Sequence, residues 1–260
     1  MSAPAAAVDA QAVATAREAA SDQTGPAIKR VAVFMAHPDD AEFTCAGTVA
    51  LWAAAGHHIT YVLLTSGDKG SADLTVTPER LVEIRTAEQR AACDVLGVQD
   101  IVFMGYQDSM LVADLALRRE LVRVIRRIKP DVVIGFDPTV RWVDQSYINH
   151  PDHRAAGEAT LDAVYPTARD WMTFPELLAE GLEPHKVAEV YLAGAKEPDC
   201  WIDISAQMET KLAALRAHAS QLGDWDPEEM IRTWARETAE RNPNPHHGEY
   251  AESYKYFKLD

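Results

Sequence analysis

Cysteine is scarce in this 260-residue chain. The three present, Cys45, Cys93 and Cys200, are widely spaced and form no Cys-x-x-Cys pair. That excludes a disulfide framework and reads as buried thiols of a reducing compartment. Long apolar runs are missing too; none approaches the ~20 residues a bilayer-spanning helix needs. The first 28 residues are Ala-rich but broken by Asp9, Arg17, Glu18 and Asp22. They lack a signal-peptide core and read as a loose tail or short surface helix. Cations are few: 25 Lys and Arg stand against 40 Asp and Glu, for a formal net charge of −15. So acidic a chain repels nucleic acid and anionic membrane. Its one basic cluster, Arg118, Arg119, Arg123, Arg126, Arg127 and Lys129, falls on an amphipathic helix pattern and reads as a solvated face. A cytoplasmic protein acting on a small, polar, glycoside-like molecule is expected.

What the chain does have is His-Pro-Asp twice, as Ala36-His37-Pro38-Asp39-Asp40 and Asn149-His150-Pro151-Asp152-His153. With nine His and fourteen Pro in all, composition does not account for the repeat. Each copy adds a second metal-capable residue three positions after its His: Asp40 in the first, His153 in the second.

The body of the chain alternates strands and helices. Arg30–Ala36 reads as a buried strand, residues 44–55 as a helix stopped by Gly56, and His58–Thr65 as a second strand. Pro78–Leu96 reads as a helix with Thr77 as cap and Gly97 as stop. Asp100–Met104 and Asp131–Phe136 read as strands around a helix at Leu115–Ile128. Later come strands at Val187–Ala193 and Trp201–Asp203 and helices near 206–219 and 227–239. Continuous apolar strands alternating with helices predict an α/β, Rossmann-like fold, a mostly parallel sheet covered on both faces, with the site at the carboxyl ends of the strands. The two triplets then fall on one edge of the sheet. Residues 29–260 read as one domain, and the proline-rich stretch near 165–186 as an irregular, lid-like insertion.

Pro38 keeps His37 out of the helical region, and a following turn brings Asp40 back beside it. Pro151 suits the first position of a helix, which puts His153 in that first turn. His37, Asp40 and His153 make three ligands with a fourth position for water, the pattern of a catalytic Zn²⁺, with another divalent metal as the alternative. Asp39 points differently from its neighbour and is the candidate proton acceptor. His150, protonated, would stabilise an oxyanion. Asp152 would hold His150 or His153 in one tautomer.

These residues resemble the PIG-L/LmbE-type zinc-dependent N-deacetylases, which act on N-acetylglucosaminyl compounds and related amides. The likeness runs from about Val31 to Phe257. It extends to Thr65-Ser66-Gly67-Asp68, to Arg85 with Glu88, to Gly105-Tyr106-Gln107-Asp108, to His218-Ala219-Ser220-Gln221 and to Ala251-Glu252. It implies zinc on His37, Asp40 and His153, Asp39 as general base, and His150 as transition-state stabiliser. It also allows for a homo-oligomer. Where many members have Glu directly after the double Asp, this chain has Ala41 and then Glu42.

Arg85, Asp108, Asp144 and Trp142 are candidate substrate contacts, each weighed against a plainer role as surface cation, turn cap, solvated carboxylate or loop packing. Trp171 and Phe174 are weighed the same way as an acyl-binding wall. His218 reads as a packed or surface histidine. The leading function is removal of an N-acetyl group from an N-acetylglucosamine-containing small molecule. An amidase splitting off a larger acyl group or thiol conjugate is the second. A non-catalytic ligand-binding α/β domain is the third, disfavoured because no Gly-rich phosphate loop follows the first strand.

Overall fold

Residues 27–260 are described by the computed structural model; the Ala-rich tail inferred for residues 1–28 lies almost wholly outside them. In chain order the elements are β1 (Arg30–Met35), α1 (Asp40–Thr44), α2 (Ala46–Ala54), β2 (His58–Thr65), α3 (Pro78–Leu96), β3 (Asp100–Tyr106), α4 (Leu115–Ile128), β4 (Val132–Phe136), β5 (Trp142–Val143), β6 (Tyr147–Ile148), α5 (Pro151–Val164), α6 (Glu176–Ala179), β7 (Glu189–Ala193), β8 (Cys200–Asp203), α7 (Met208–Arg216), α8 (Ala219–Leu222), α9 (Glu228–Glu240) and β9 (Ala251–Lys258).

Seven strands form one sheet in the order β3-β2-β1-β4-β7-β9-β8, and β5 and β6 form a separate hairpin. The first five are parallel, and β9 runs antiparallel to both β7 and β8. Central strands β1, β2 and β4 bury nearly every residue, as a sheet covered on both faces requires. The fold is α/β and Rossmann-like, as the alternation predicts. Strand β1 pairs with β2 on one side and β4 on the other. The chain order reverses there, opening a crevice beyond the strand ends. Both His-Pro-Asp triplets emerge into it.

Local signals set several boundaries. Thr77 accepts the Arg80 amide at the start of α3, and Gly97 ends that helix at φ 75°. Asp114 caps α4 through the Leu117 amide. The helix expected over 44–55 is α2, and Cys45 separates it from the short α1 that precedes it. Glu252, reaching across from β9, accepts the Gly47 and Thr48 amides at 2.9 and 2.8 Å. These are first-turn donors of α2, which a carboxylate satisfies while complementing the helix dipole. Lys211 pairs with the same carboxylate at 2.6 Å and donates to the Phe43 carbonyl at 3.1 Å. A buried ion pair thus occupies the junction between α1 and α2. The helix expected over 206–219 is interrupted at Ala217–His218, which turns His218 inward.

The stretch expected as a lid lies at the other end of the sheet. It leaves the far end of α5, and buried Arg126 of α4 donates to the carbonyls of Thr167, Ala168 and Asp170. His185 bonds to the Pro130 carbonyl at 2.7 Å, at the entry to β4. The segment is therefore tacked down along the edge opposite the two triplets and does not cover them. Among the described residues, no helix is long and apolar enough to cross a membrane.

Helix α5 packs on the end of β4 through Gly157, where an added Cβ would sit 2.5 Å from the Phe136 carbonyl oxygen and 3.2 Å from Pro138 N. Neither backbone atom can move without displacing β4. Gly157→Ala is expected to destabilise the fold by about 1–3 kcal/mol, read as a lowered urea midpoint. An unchanged midpoint would mean α5 is free to lift from the sheet.

Candidate active site

Strand β1 delivers His37 to the crevice, where its own amide donates to Asp40 Oδ2 at 2.7 Å. Between them, Asp39 adopts φ 93°, a left-handed conformation that Asp tolerates better than most residues. Although Asp39 precedes α1, its carboxylate makes no capping bond and is left free for other work. Asp40 enters α1 and places Oδ2 3.4 Å from His37 Nδ1 and Oδ1 3.0 Å from His153 Nε2.

The second triplet starts α5, with Pro151 in its first position as expected. His150 Nδ1 accepts the Asp152 amide at 3.2 Å, so the neutral imidazole carries its proton on Nε2. His153 stacks on Phe136 at 4.4 Å and 11°. Asn149 gives its amide N–H to the Val140 carbonyl, which leaves Oδ1 for His153 Nδ1 at 3.1 Å. His153 therefore donates from Nδ1 and turns the lone pair of Nε2 toward Asp40.

Asp152 does not hold His150 or His153 through its carboxylate, as the sequence suggested. It is wholly buried and reaches His37 of the other triplet, with Oδ2 3.3 Å from Nε2. The same carboxylate accepts the amides of Ser109 at 2.7 Å and Leu111 at 3.2 Å. The cause is position: at the second residue of α5 it faces the loop after β3, not the preceding turn. Asp108, from that loop, sits 3.3 Å from His37 Nε2 and 3.9 Å from His150 Nε2. Two sets of donors converge within 4.8 Å, His37 with His150 and His153, and His37 with Asp108 and Asp152.

The cluster demands positive charge. Burial opposes ionisation of His37, but the charge of Asp40 and the hydrogen bonds that Asp108 and Asp152 accept from the ring outweigh it and push the imidazole up to about 12. Burial raises Asp40, yet His153 and His37 bring it well below the carboxylate range. Burial also raises Asp108, and its bond to His37 holds it down at about 2. Asp39 goes the other way: burial, then the neighbouring charges of Asp40 and Glu42, push it well up. His150 is lowered by burial and by His37, so the protonated form expected from sequence is disfavoured. With Nε2 of His37 and Nδ1 of His153 engaged by hydrogen bonds, His37 Nδ1 and His153 Nε2 face Asp40, and once a cation replaces the proton on His37 Nδ1 this N₂O donor set fits a divalent ion.

Arg85 lies in the site, nearly buried, donating to the Gly67 carbonyl at 2.7 Å and 4.0 Å from Asp108 Oδ2. Its Nε has no hydrogen-bond partner. Trp142 and Asp144 sit on the β5–β6 hairpin that leads into His150, without a bond to the cluster; Trp142 is 66% exposed and Asp144 has φ 50°. Trp171 is exposed and Phe174 half-buried, both in the segment at the opposite edge. Asn149 was missed, though its place directly before His150 was a signal. So was Gln89, whose Oε1 accepts the Asp39 amide at 3.2 Å; nothing local in the sequence marked it.

Residues 32–164 match the profile of the family described as PIG-L, GlcNAc-PI de-N-acetylase. The chain belongs to the PIG-L family. As a member it is an enzyme of the N-deacetylase class, which sets aside the non-catalytic reading. It is 34% identical over 207 residues to a diacetylchitobiose deacetylase of Thermococcus kodakarensis, covering 80% of this chain and 74% of that one. It is 32% identical over 198 residues to a probable N-acetyl-alpha-D-glucosaminyl L-malate deacetylase 2 of Bacillus anthracis, covering 74% and 81%. Among solved structures it resembles N,N′-diacetylchitobiose deacetylase from Pyrococcus horikoshii, with a TM-score of 0.81, 28% identity and coverage of 97% and 94%. The PIG-L match spans both triplets and the sheet core that carries them.

Orientation of His37 by Asp152 is open to a direct check. Asp152→Asn is expected to lower deacetylation about 10- to 100-fold, with the circular dichroism spectrum unchanged. A wild-type rate would mean that Asp108 alone orients the ring.

Proposed function

We propose that the chain is a zinc-dependent hydrolase that removes the N-acetyl group from an N-acetylglucosamine-containing small molecule. One observation carries the reading: His37, Asp40 and His153 meet at the switch point with an uncapped Asp39 and a half-exposed His150 beside them. The named activities of the family relatives support the amino-sugar class.

His37, Asp40 and His153 would hold the ion, and their two nitrogens and one carboxylate suit zinc. Asp108 and Asp152 are then partners of His37, not ligands, because the oxygens of Asp152 are taken by two backbone amides as well. When bound, the ion supplies Lewis acidity that makes water nucleophilic near neutral pH. Asp39 takes the proton from the attacking water oxygen and returns it to the leaving amine nitrogen. Its upward-shifted carboxyl is matched to both transfers. His150 donates its Nε2–H to the amide carbonyl oxygen as negative charge develops there, and as a neutral imidazole it needs no extra proton to do so. Arg85, with Nε unpaired, and Asp108 would meet the sugar hydroxyls.

The hairpin at the mouth supports a second reading. Trp142, Val143 and Ile148 expose 66%, 48% and 84% of their surface within a few residues of His150, and such a rim would suit a larger acyl group or aglycone. A chain-length series of N-acyl glucosamines separates the two: acetyl fastest supports the first, and cleavage of long chains but not acetyl supports the second.

The primary test combines metal analysis with acetate release across N-acetylated amino sugars, including N,N′-diacetylchitobiose. Roughly stoichiometric zinc and acetate release are expected, with both lost in His37→Ala. A chelator should abolish turnover and added Zn²⁺ restore it. Full activity in a chelated, metal-free preparation would overturn the zinc mechanism.

A further inference from the structure

Behind the site, a ring of five hydrogen bonds closes on a single peptide unit, two of them made by the peptide itself. The amide of Asp39 donates to Gln89 Oε1 at 3.2 Å, and the carbonyl of Pro38 accepts from Gln221 Nε2 at 3.0 Å. These are the two polar ends of the peptide joining Pro38 to Asp39, so its plane is held from opposite sides. The two glutamines are linked in turn through a buried pair. Gln89 Nε2 donates to Glu42 Oε1 at 3.1 Å, Glu42 Oε2 lies 3.2 Å from His218 Nε2, and His218 Nδ1 lies 3.4 Å from Gln221 Nε2.

The directions of these bonds are mutually determined. Gln221 donates to His218 Nδ1, so that imidazole carries its proton on Nε2 and gives it to Glu42. Glu42 accepts twice, so Gln89 must present its NH₂ there and its carbonyl to Asp39. Glu42, Gln89 and His218 are each 0% exposed, so their bonds are shielded from bulk solvent. The support is anchored further out, where Glu88 of α3 accepts the Ser220 amide and hydroxyl at 2.7 and 2.6 Å. That ties α8, which carries Gln221, to the helix that carries Gln89.

Asp39 has φ 93°, a conformation that is strained for a non-glycine residue and persists only where its surroundings over-determine it. Rotating the Pro38–Asp39 peptide would relieve that strain and swing the Asp39 carboxylate away. We propose that Gln89 and Gln221, braced by Glu42 and His218, are positioning residues that clamp this peptide and so aim Asp39 at the reacting water. The inference rests on the reading of Asp39 as general base. None of the four residues is a ligand in that reading, and Gln221 comes from near the other end of the chain.

The test uses full-length, zinc-loaded protein with N,N′-diacetylchitobiose as probe. Gln221 is half-exposed, so Gln221→Met is expected to fold with unchanged zinc content and KM. Its kcat should fall about 10- to 100-fold, and a crystal structure should show Asp39 at negative φ. Gln89→Met should reproduce the split from the other side of the peptide. In an Asp39→Asn background, Gln221→Met should add little further loss, because both changes act through one group. Positive φ retained at Asp39 in Gln221→Met, or losses that multiply in the double variant, would overturn the clamp. Full activity in Asp39→Asn would instead remove the base reading, leaving the φ of Asp39 in Gln221→Met to decide the clamp alone.

Discussion

The buried carboxylate of Asp152 is the tie on which the rest of the site depends. It accepts two backbone amides from the loop after β3 and orients the imidazole that follows β1, while its own amide fixes the ring of His150. Three segments that are remote in sequence are thereby referred to one atom group. The first turn of α5 can hold it because Pro151 starts the helix and Gly157 lets the helix lie against β4. A buried anion of this kind is stable only when fully hydrogen-bonded, and the backbone donors of Ser109 and Leu111 meet that condition.

Around this tie the charges are divided by task. Asp40 and Asp108 are held ionised by facing imidazoles, whereas Asp39, one residue away, is pushed toward the neutral range by burial and like charge. Neighbouring carboxylates with separated pKa values are how one pocket supports both ion binding and proton transfer. The separation is geometric in origin, since the left-handed turn at Asp39 sends adjacent side chains in different directions.

Much of this was legible in the sequence. Apolar runs marked β1, β2 and β4, and Thr77 and Gly97 bounded α3 to the residue. The triplets identified His37, Asp40, His150 and His153 as neighbours before any fold was known. What escaped was non-local. The direction of the Asp152 carboxylate depends on the loop after β3, and Gln89 acts from mid-helix. Strand β9 has neither a continuous apolar run nor a clean alternation, and it takes its order from lying between β7 and β8. Trp142 and Asp144 drew attention by residue type, but their hairpin projects into solvent. The segment 165–186 looked like a lid because prolines report irregularity and not location.

The contact between Glu252 and the start of α2 spans 205 positions of the chain. During synthesis the parallel strands and both triplets emerge long before Lys211, His218, Gln221 and Glu252, so the loop after β1 is complete in sequence while its support is still missing. Closing so long a loop is entropically costly and slows folding. The final strand is therefore also a timing element. The parallel strands β1 to β4 are available to pair early, but the loop after β1 is braced only when Gln221 and β9 dock.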